Sequence, residues 1–360
     1  MERFFCKTQI ISGKGSLAQL SQLHIKRLLI VSDPFFSENG TVNHIAHLSK
    51  AEKVEIFTQV TPDPSVSLVA TGTKLVQDFQ PDTLLALGGG SAMDCAKAMA
   101  YFSGLSLRFI AVPTTSGSGS EVTDFAILTH DGVKHPLVDE KLRPDIAFLD
   151  SDLLTSLPQK LIADTGFDLI SHAIEAWGST GAGMISDALV LDALKTAFSY
   201  LPKSYAGDQS ARLPVHTAAT MAGIAFSSAG LGLCHAMAHA LGGEFHTPHG
   251  RLNAILLPAI LDCNAPKTGH RYAELSRRLG FSTGTDPVAL RAFKNALIRL
   301  RSQLRLPNTL SEAGISPSAL RSKKAALTEA TLADPCCTTN PVRPESWHVE
   351  QILNEVMGCG

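Results

Sequence analysis

Strand-like runs are confined to roughly the first 155 residues of this chain, and that asymmetry limits the folds open to it. Arg27–Ser32 reads as a buried strand, as do Val54–Phe57, Thr83–Leu87 and Phe109–Val112. Between them, Val66–Phe79 and Ala92–Phe102 carry apolar residues at helical spacing. Strands alternating with helices predict a parallel sheet covered on both faces. Beyond about Pro158, long Ala- and Leu-rich segments take over: Lys160–Trp177, Ile185–Tyr200, Ala211–Ser228, Leu231–Leu241, Arg251–Cys263, Tyr272–Leu279 and Pro287–Leu304. A chain of 360 residues is too long for one ordinary core. The expectation is an α/β N-terminal domain over residues 1–157 and an all-α C-terminal domain over 158–360, with the hinge in Asp150–Pro158.

Two loops follow strands of the N-terminal half. Leu87-Gly88-Gly89-Gly90-Ser91 leads into a helical pattern carrying Asp94 and Lys97. Glycines let backbone approach a ligand, and the free N–H groups of a helix start bind phosphate. This points to a Rossmann-like parallel sheet with a nucleotide at its strand ends. A tight βα turn is the bland alternative. The second loop, Pro113-Thr114-Thr115-Ser116-Gly117-Ser118-Gly119-Ser120-Glu121, concentrates hydroxyls at another strand end, which suits ribose and pyrophosphate. Asp33 ends the first clear strand, where a carboxylate accepts from an adenosine ribose and repels a 2′-phosphate. That favours NAD over NADP. A turn-capping Asp before Pro34 is the competing reading.

Composition narrows the function classes. Apolar residues make up 44% and charged residues 18%, as in an ordinary globular enzyme. A net charge of −2 supplies no field to draw in nucleic acid or anionic membrane. No signal-peptide pattern or transmembrane run is expected. Seven scattered cysteines without C-x-x-C spacing read as reduced thiols of a cytoplasmic protein.

Four histidines fall within fifteen residues: His235, His239, His246 and His249. Thirteen His in 360 residues would put about half of one there by chance. Imidazole is the commonest neutral metal ligand near pH 7. His235 and His239 are four residues apart, on one face of a helix, and Asp168 and His172 share that spacing upstream. One carboxylate with three imidazoles would hold a divalent cation and leave positions open for substrate. Spacing alone does not say which of the four clustered His are ligands. His24, His44, His47, His130, His135, His216, His270 and His348 are isolated and read as ordinary.

With these motifs in view, the chain resembles the iron-containing (group III) alcohol dehydrogenases nearly end to end, from Gly13-Lys-Gly-Ser16 to Thr339-Asn340-Pro341-Val-Arg343. The resemblance rests on Gly-Gly-Gly-Ser with Asp94 and Lys97, the Pro-Thr-Thr-Ser-Gly-Ser-Gly-Ser-Glu-Val-Thr loop, Gly-Phe-Asp-x-x-x-His-Ala-Ile-Glu and the run ending Thr-Pro-His-Gly250. It is strongest to the short-chain alcohol dehydrogenases of propanediol and ethanolamine utilisation. It implies a dehydroquinate synthase-like/iron alcohol dehydrogenase fold. It implies metal ligands at Asp168, His172, His235 and His249, with Fe(II) as the metal and Zn(II) or another divalent ion as alternatives. His239 then lies by the nicotinamide, and His246 has no role. The resemblance places NAD on Asp33, Gly88, Gly89, Gly90, Ser91, Thr114, Thr115, Ser118 and, on a looser alignment, Lys134. Phe125, Phe226, Leu231 and Cys336 line the substrate side. Two departures stand out. Ser118 replaces the usual Thr and keeps a hydroxyl. Ser151 replaces the usual Pro at the hinge, which is expected to loosen that turn.

The implied chemistry is reversible hydride transfer between NAD(H) and a short aliphatic alcohol or aldehyde, in the cleft between the domains. A divalent metal polarises the substrate oxygen, and His239 relays the proton. The apolar lining favours 1-propanol/propionaldehyde or ethanol/acetaldehyde. One rival is a diol or polyol dehydrogenase acting on 1,2- or 1,3-propanediol or glycerol. Another is an idle microcompartment-associated binding protein. The expected partners are a small-molecule alcohol or aldehyde and further copies of the chain, as a homodimer or larger, in the cytoplasm or within a bacterial microcompartment.

Overall fold

A computed structural model of the chain describes residues 4–130 and 133–358. These fall into two compact units, one spanning Cys6–Leu157 and one beginning at Pro158.

The first unit is built on β1 (Gln9–Ser12), β2 (Arg27–Ser32), α1 (Pro34–Glu38), α2 (Thr41–Ser49), β3 (Lys53–Phe57), α3 (Val66–Phe79), β4 (Thr83–Gly88), α4 (Gly90–Ser103), β5 (Arg108–Pro113), β6 (Phe125–His130), β7 (Val133–Val138) and β8 (Ile146–Leu149). Six strands form a parallel sheet in the order β1-β8-β5-β4-β2-β3. Successive strand residues feed opposite faces, because side chains alternate along a strand. Leu29, Val31, Leu84, Ala86, Phe109 and Ala111 pack with Val69, Val76, Met93 and Met99 of α3 and α4. Leu28, Ile30, Leu85, Leu87, Ile110 and Val112 pack with Val42 and Ile45 of α2 on the other face. Burial on both faces explains why these strands read as continuous apolar runs.

Three features of this unit were not expected from the sequence. The edge strand β1 is mostly exposed and lacks an apolar run, and β8 is only four residues long. β6 and β7 form a separate antiparallel hairpin, with Phe125 opposite Val138 and Leu128 opposite His135. The turn at Ser151 is a 3₁₀ segment, Ser151–Leu154, capped by Asp150, whose carboxylate accepts from Asp152 N at 3.1 Å. The same carboxylate also accepts from Gly15 N and Leu17 N at 2.9 and 3.0 Å, so the expected loosening is offset by this anchor.

The second unit is helical throughout its described residues: α5 (Gln159–Gly178), α6 (Met184–Tyr205), α7 (Arg212–Ala229), α8 (Leu233–Phe245), α9 (His249–Arg278), α10 (Asp286–Gln303), α11 (Pro317–Ala333) and α12 (Ser346–Val356), with short 3₁₀ turns between some of them. The two segments expected at Arg251–Cys263 and Tyr272–Leu279 are one helix, α9, running through Pro258 and Pro266. An interior proline costs about 3 kcal/mol. Burial of Leu252 through Leu261, and of Tyr272 and Leu275 beyond, opposes that cost. No single helix among the described residues is long and apolar enough to cross a membrane.

The sheet reverses strand order at β2, which has β3 on one side and β4 on the other. Ligands of open α/β sheets bind outside the carboxyl ends of strands at such a switch point. Gly88 ends β4 there with φ +149°, a conformation that favours glycine, and an added Cβ would lie 2.6 Å from Ala92 Cβ. Replacing Gly88 with Ala is therefore expected to lower unfolding free energy by about 1–3 kcal/mol, read from chemical denaturation. An unchanged midpoint would contradict the need for glycine at this turn.

Candidate metal centre and nucleotide loops

In the sheet unit, the residues expected at the nucleotide converge. Gly89 is the N-cap of α4 and Gly90 its first residue, with Ser91 next in the same turn. A Cβ on Gly89 would sit 3.3 Å from Thr115 Oγ1, and one on Gly90 would sit 3.5 Å from Ser118 Cβ. The hydroxyl loop thus lies against the glycine turn. Thr114 N donates to Gly88 O at 3.0 Å, which ties the ends of β5 and β4 together. Asp33 reaches the same place: its Oδ2 lies 3.5 Å from where a Gly88 Cβ would be, and its Oδ1 is buried without a hydrogen-bond partner. The arrangement offers helix-start N–H groups for phosphate and a carboxylate for ribose hydroxyls. Lys134, on β7, is engaged in an ion pair with Asp63 at 2.8 Å. Lys97 is buried, donating to Ser120 Oγ, Thr123 O, Thr123 Oγ1 and Phe125 O at 3.0–3.1 Å. It anchors the hydroxyl loop to α4. Phe125 belongs to this unit.

In the helical unit, α5 carries Asp168 and His172 one turn apart, and α8 carries His235 and His239 likewise. Donor atoms of Asp168, His172 and His235 all lie within 4.8 Å of one another, and all three residues are buried. His249, the first residue of α9, brings its Nε2 to 3.6 Å from Asp168 Oδ1. Glycine permits this approach: a Cβ on Gly250 would lie 1.9 Å from Asp164 O. Arg251 then clamps the first turn of α9 with two bonds to the Asp164 carboxylate, at 3.0 and 2.7 Å. His246 is elsewhere in function: it is exposed and takes the left-handed C-cap of α8, with φ 53°.

Glu175 closes the Gly-Phe-Asp-x-x-x-His-Ala-Ile-Glu motif, and nothing in that pattern assigns it a task. Its buried carboxylate accepts from Gly232 N at 3.0 Å, Cys234 N at 2.7 Å and His235 N at 3.3 Å. These are the orphan donors of a helix start. α8 has no capping side chain of its own, so a carboxylate from α5 caps it. Asn340 Oδ1 adds the fourth bond, accepting from Leu233 N at 3.0 Å. Glu175 Oε2 also lies 2.6 Å from His235 Nδ1. While ionised, that carboxylate only accepts, which puts the proton on Nδ1 and leaves Nε2 its lone pair. Burial, then the His172 and His239 charges, hold the His235 pKa well below the ordinary range, which keeps the imidazole neutral. Burial pushes the Asp168 carboxyl up to about 7, against the Asn253 hydrogen bond and the His239 charge. Asn253 Nδ2 donates to Asp168 Oδ1 at 3.0 Å.

This donor set fits a divalent cation: one buried carboxylate whose charge a cation would offset, and imidazoles whose ligating form is neutral. His172 is held in a stack between Phe226, 4.3 Å between centroids, and His235, at 4.4 Å. Phe226 therefore abuts the candidate site. Leu231 is buried on the turn between α7 and α8. Cys336 lies with His239 and Asp334 in a second donor group of 4.8 Å spread.

The comparisons with known proteins agree with this architecture. A family model described as iron-containing alcohol dehydrogenase matches residues 7–151. One described as Fe-containing alcohol dehydrogenase family, C-terminal, matches residues 162–357. The chain is 38% identical to a 1-propanol dehydrogenase of Salmonella typhimurium, covering 99% of this chain and 100% of that protein. It superposes on the iron-containing alcohol dehydrogenase of Thermococcus thioreducens with a TM-score of 0.92 at 34% identity, over 98% and 99% of the two chains. A sulfoacetaldehyde reductase of Bifidobacterium kashiwanohense, solved in complex with NAD+, matches with a TM-score of 0.89 at 26% identity, over 99% and 98%. The chain belongs to the iron-containing alcohol dehydrogenase family.

Proposed function

We propose that this protein is a metal-dependent alcohol dehydrogenase that transfers a hydride between NAD(H) and a short aliphatic alcohol or aldehyde. The observation that carries the reading is the buried Asp168, His172 and His235 group, with His249 beside Asp168 and His235 oriented by Glu175. When bound, a divalent metal, Fe(II) or Zn(II), supplies Lewis-acid activation of the substrate oxygen, and NAD(H) supplies or accepts the hydride.

The chain's own residues do the rest. Asp168, His172, His235 and His249 hold the metal. Gly88, Gly89, Gly90, Ser91, Thr114, Thr115 and Ser118 hold the dinucleotide phosphates and riboses. Asp33 accepts from ribose hydroxyls and disfavours a 2′-phosphate; the NAD+ complex of the sulfoacetaldehyde reductase supports NAD. Lys134 contributes through its charge while paired with Asp63. Phe125, Phe226, Leu231 and Cys336 line the substrate side. They offer apolar surface to a short alkyl chain, which favours propionaldehyde or acetaldehyde over glycerol. The 1-propanol dehydrogenase likeness points the same way. His239 takes the hydroxyl proton in the oxidising direction and returns it in the reducing one. A homodimer or larger assembly, in the cytoplasm or a microcompartment, completes the proposal.

The decisive experiment combines elemental analysis of anaerobically purified protein with NADH oxidation by propionaldehyde on the same sample. One divalent metal per chain with turnover is expected. Metal-loaded protein that reduces no short aldehyde would favour an idle binding protein. Rates on 1-propanol exceeding those on 1,2-propanediol, 1,3-propanediol and glycerol are expected; the reverse order would make it a polyol dehydrogenase. His239→Ala should lower kcat about a hundredfold and spare metal content, and loss of metal from that variant would count against a relay. Glu175→Gln should weaken metal binding about 10- to 100-fold, measured by chelator competition.

A further inference from the structure

Asp334 joins two of the expected site residues, His239 and Cys336. Its Oδ2 lies 2.8 Å from His239 Nδ1, and its Oδ1 accepts the Cys336 backbone N–H at 2.8 Å. Both side chains of the His239 pair are largely shielded, at 17% and 15% exposed. On its other side the His239 ring stacks on His249, 5.0 Å between centroids and 18° from parallel. The ring is thus held between a carboxylate and a residue proposed to hold metal.

His239, Asp334 and Cys336 have donor atoms within 4.8 Å of one another, so the trio has two chemical readings. It is either a second cation site or a hydrogen-bonded hub. The bonds favour the hub, since each oxygen of the carboxylate already meets a nitrogen donor. Burial alone would raise the Asp334 carboxyl. The His239 hydrogen bond and charge, with the Cys336 bonds, hold it below the ordinary range.

We propose that Asp334 is the positioning residue of His239: its acceptor-only carboxylate keeps a proton on Nδ1 and leaves Nε2 as the atom that exchanges protons with substrate. The inference rests on the relay reading of His239 and deepens it. In the oxidising direction NAD+, when bound, would serve as the hydride acceptor. The hydroxyl proton passes to His239 Nε2 and then to water. Asp334 holds the orientation and tautomer of the ring without taking the proton itself, as the orienting carboxylate does in hydrolase triads.

The test is a double-mutant cycle on the metal-loaded, full-length enzyme, with NADH and propionaldehyde. His239→Ala is expected to lower kcat about a hundredfold. Asp334→Ala is expected to lower kcat about tenfold or more, with KM, metal content and thermal midpoint little changed. Asp334→Glu should restore part of the loss. Adding Asp334→Ala to His239→Ala should cost nothing further, because the carboxylate acts through the ring. Should Asp334→Ala fold poorly, Asp334→Asn carries the same cycle.

Undiminished kcat in the Asp334 variants, beside a strong His239→Ala loss, would overturn the inference and leave the relay standing. A full additional loss in the double variant would overturn it too, by showing that Asp334 acts elsewhere. Undiminished kcat in His239→Ala would remove the relay reading itself. Two equivalents of Zn(II) per wild-type chain, falling to one in Cys336→Ser, would make the trio a cation site and overturn the hub.

Discussion

One carboxylate fixes the geometry of the helical unit's site. Glu175 is buried among backbone N–H groups at the start of α8, and it also grips the ring of His235. A buried carboxylate is costly unless hydrogen-bonded throughout. Here the positive end of a helix and several donors supply that compensation. Burial still pushes its carboxyl up to about 7, against the N–H groups of Cys234, His235 and Gly232. The same contact therefore caps a helix, joins α5 to α8 and selects the tautomer of one imidazole. Gly232 makes room for it, since a Cβ there would lie 2.7 Å from Glu175 Oε1 and from Asn340 Oδ1. Asn340, paired with Asn264 by bonds at 2.8 and 3.1 Å, completes the cap from a segment about a hundred residues downstream.

Close backbone approach is the second constraint, and both units use it. At Gly250 the first turn of α9 lies against the α5 backbone, which sets His249 beside Asp168. At Gly88, Gly89 and Gly90 the missing side chains admit Ala92, Thr115 and Ser118 to the loop at the switch point. In each case the glycine is dictated by what lies next to it in space. Phosphate loops and ligand helices both need such approach, because their working atoms are backbone N–H groups or side chains one residue away.

What the sequence revealed divides along physical lines. Periodicity exposed β2, β4, α3 and α5, since their burial patterns are complete within each segment. The i, i+4 spacing put Asp168 with His172, and His235 with His239, on single helix faces. It left open which of the clustered imidazoles face Asp168. The family resemblance singled out His249, and the packing of α9 on α5 brings it there. The contacts of Glu175 and Asp334 were not legible, because they meet their histidines across 60 and 95 residues of sequence. An Asp or Glu in a helical pattern looks the same whether it is solvated or capping another helix. The β6–β7 hairpin and the continuity of α9 through two prolines were hidden for the same reason: tertiary partners override local preference.

The two carboxylate–histidine pairs show how one motif can serve two tasks. His235 with Glu175 and His239 with Asp334 have the same bond, from Nδ1 to a carboxylate oxygen, at 2.6 and 2.8 Å. They differ in depth. The first pair is 1% and 3% exposed, the second 17% and 15%. Deep burial penalises the imidazolium and preserves a lone pair, which suits a metal ligand. Partial exposure leaves a route for a proton to reach water, which suits a relay. Both histidines lie on α8 one turn apart, so the two pairs are in register on one rigid element. The proposed reaction needs both, because an alcohol becomes an aldehyde only by losing a hydride from carbon and a proton from oxygen.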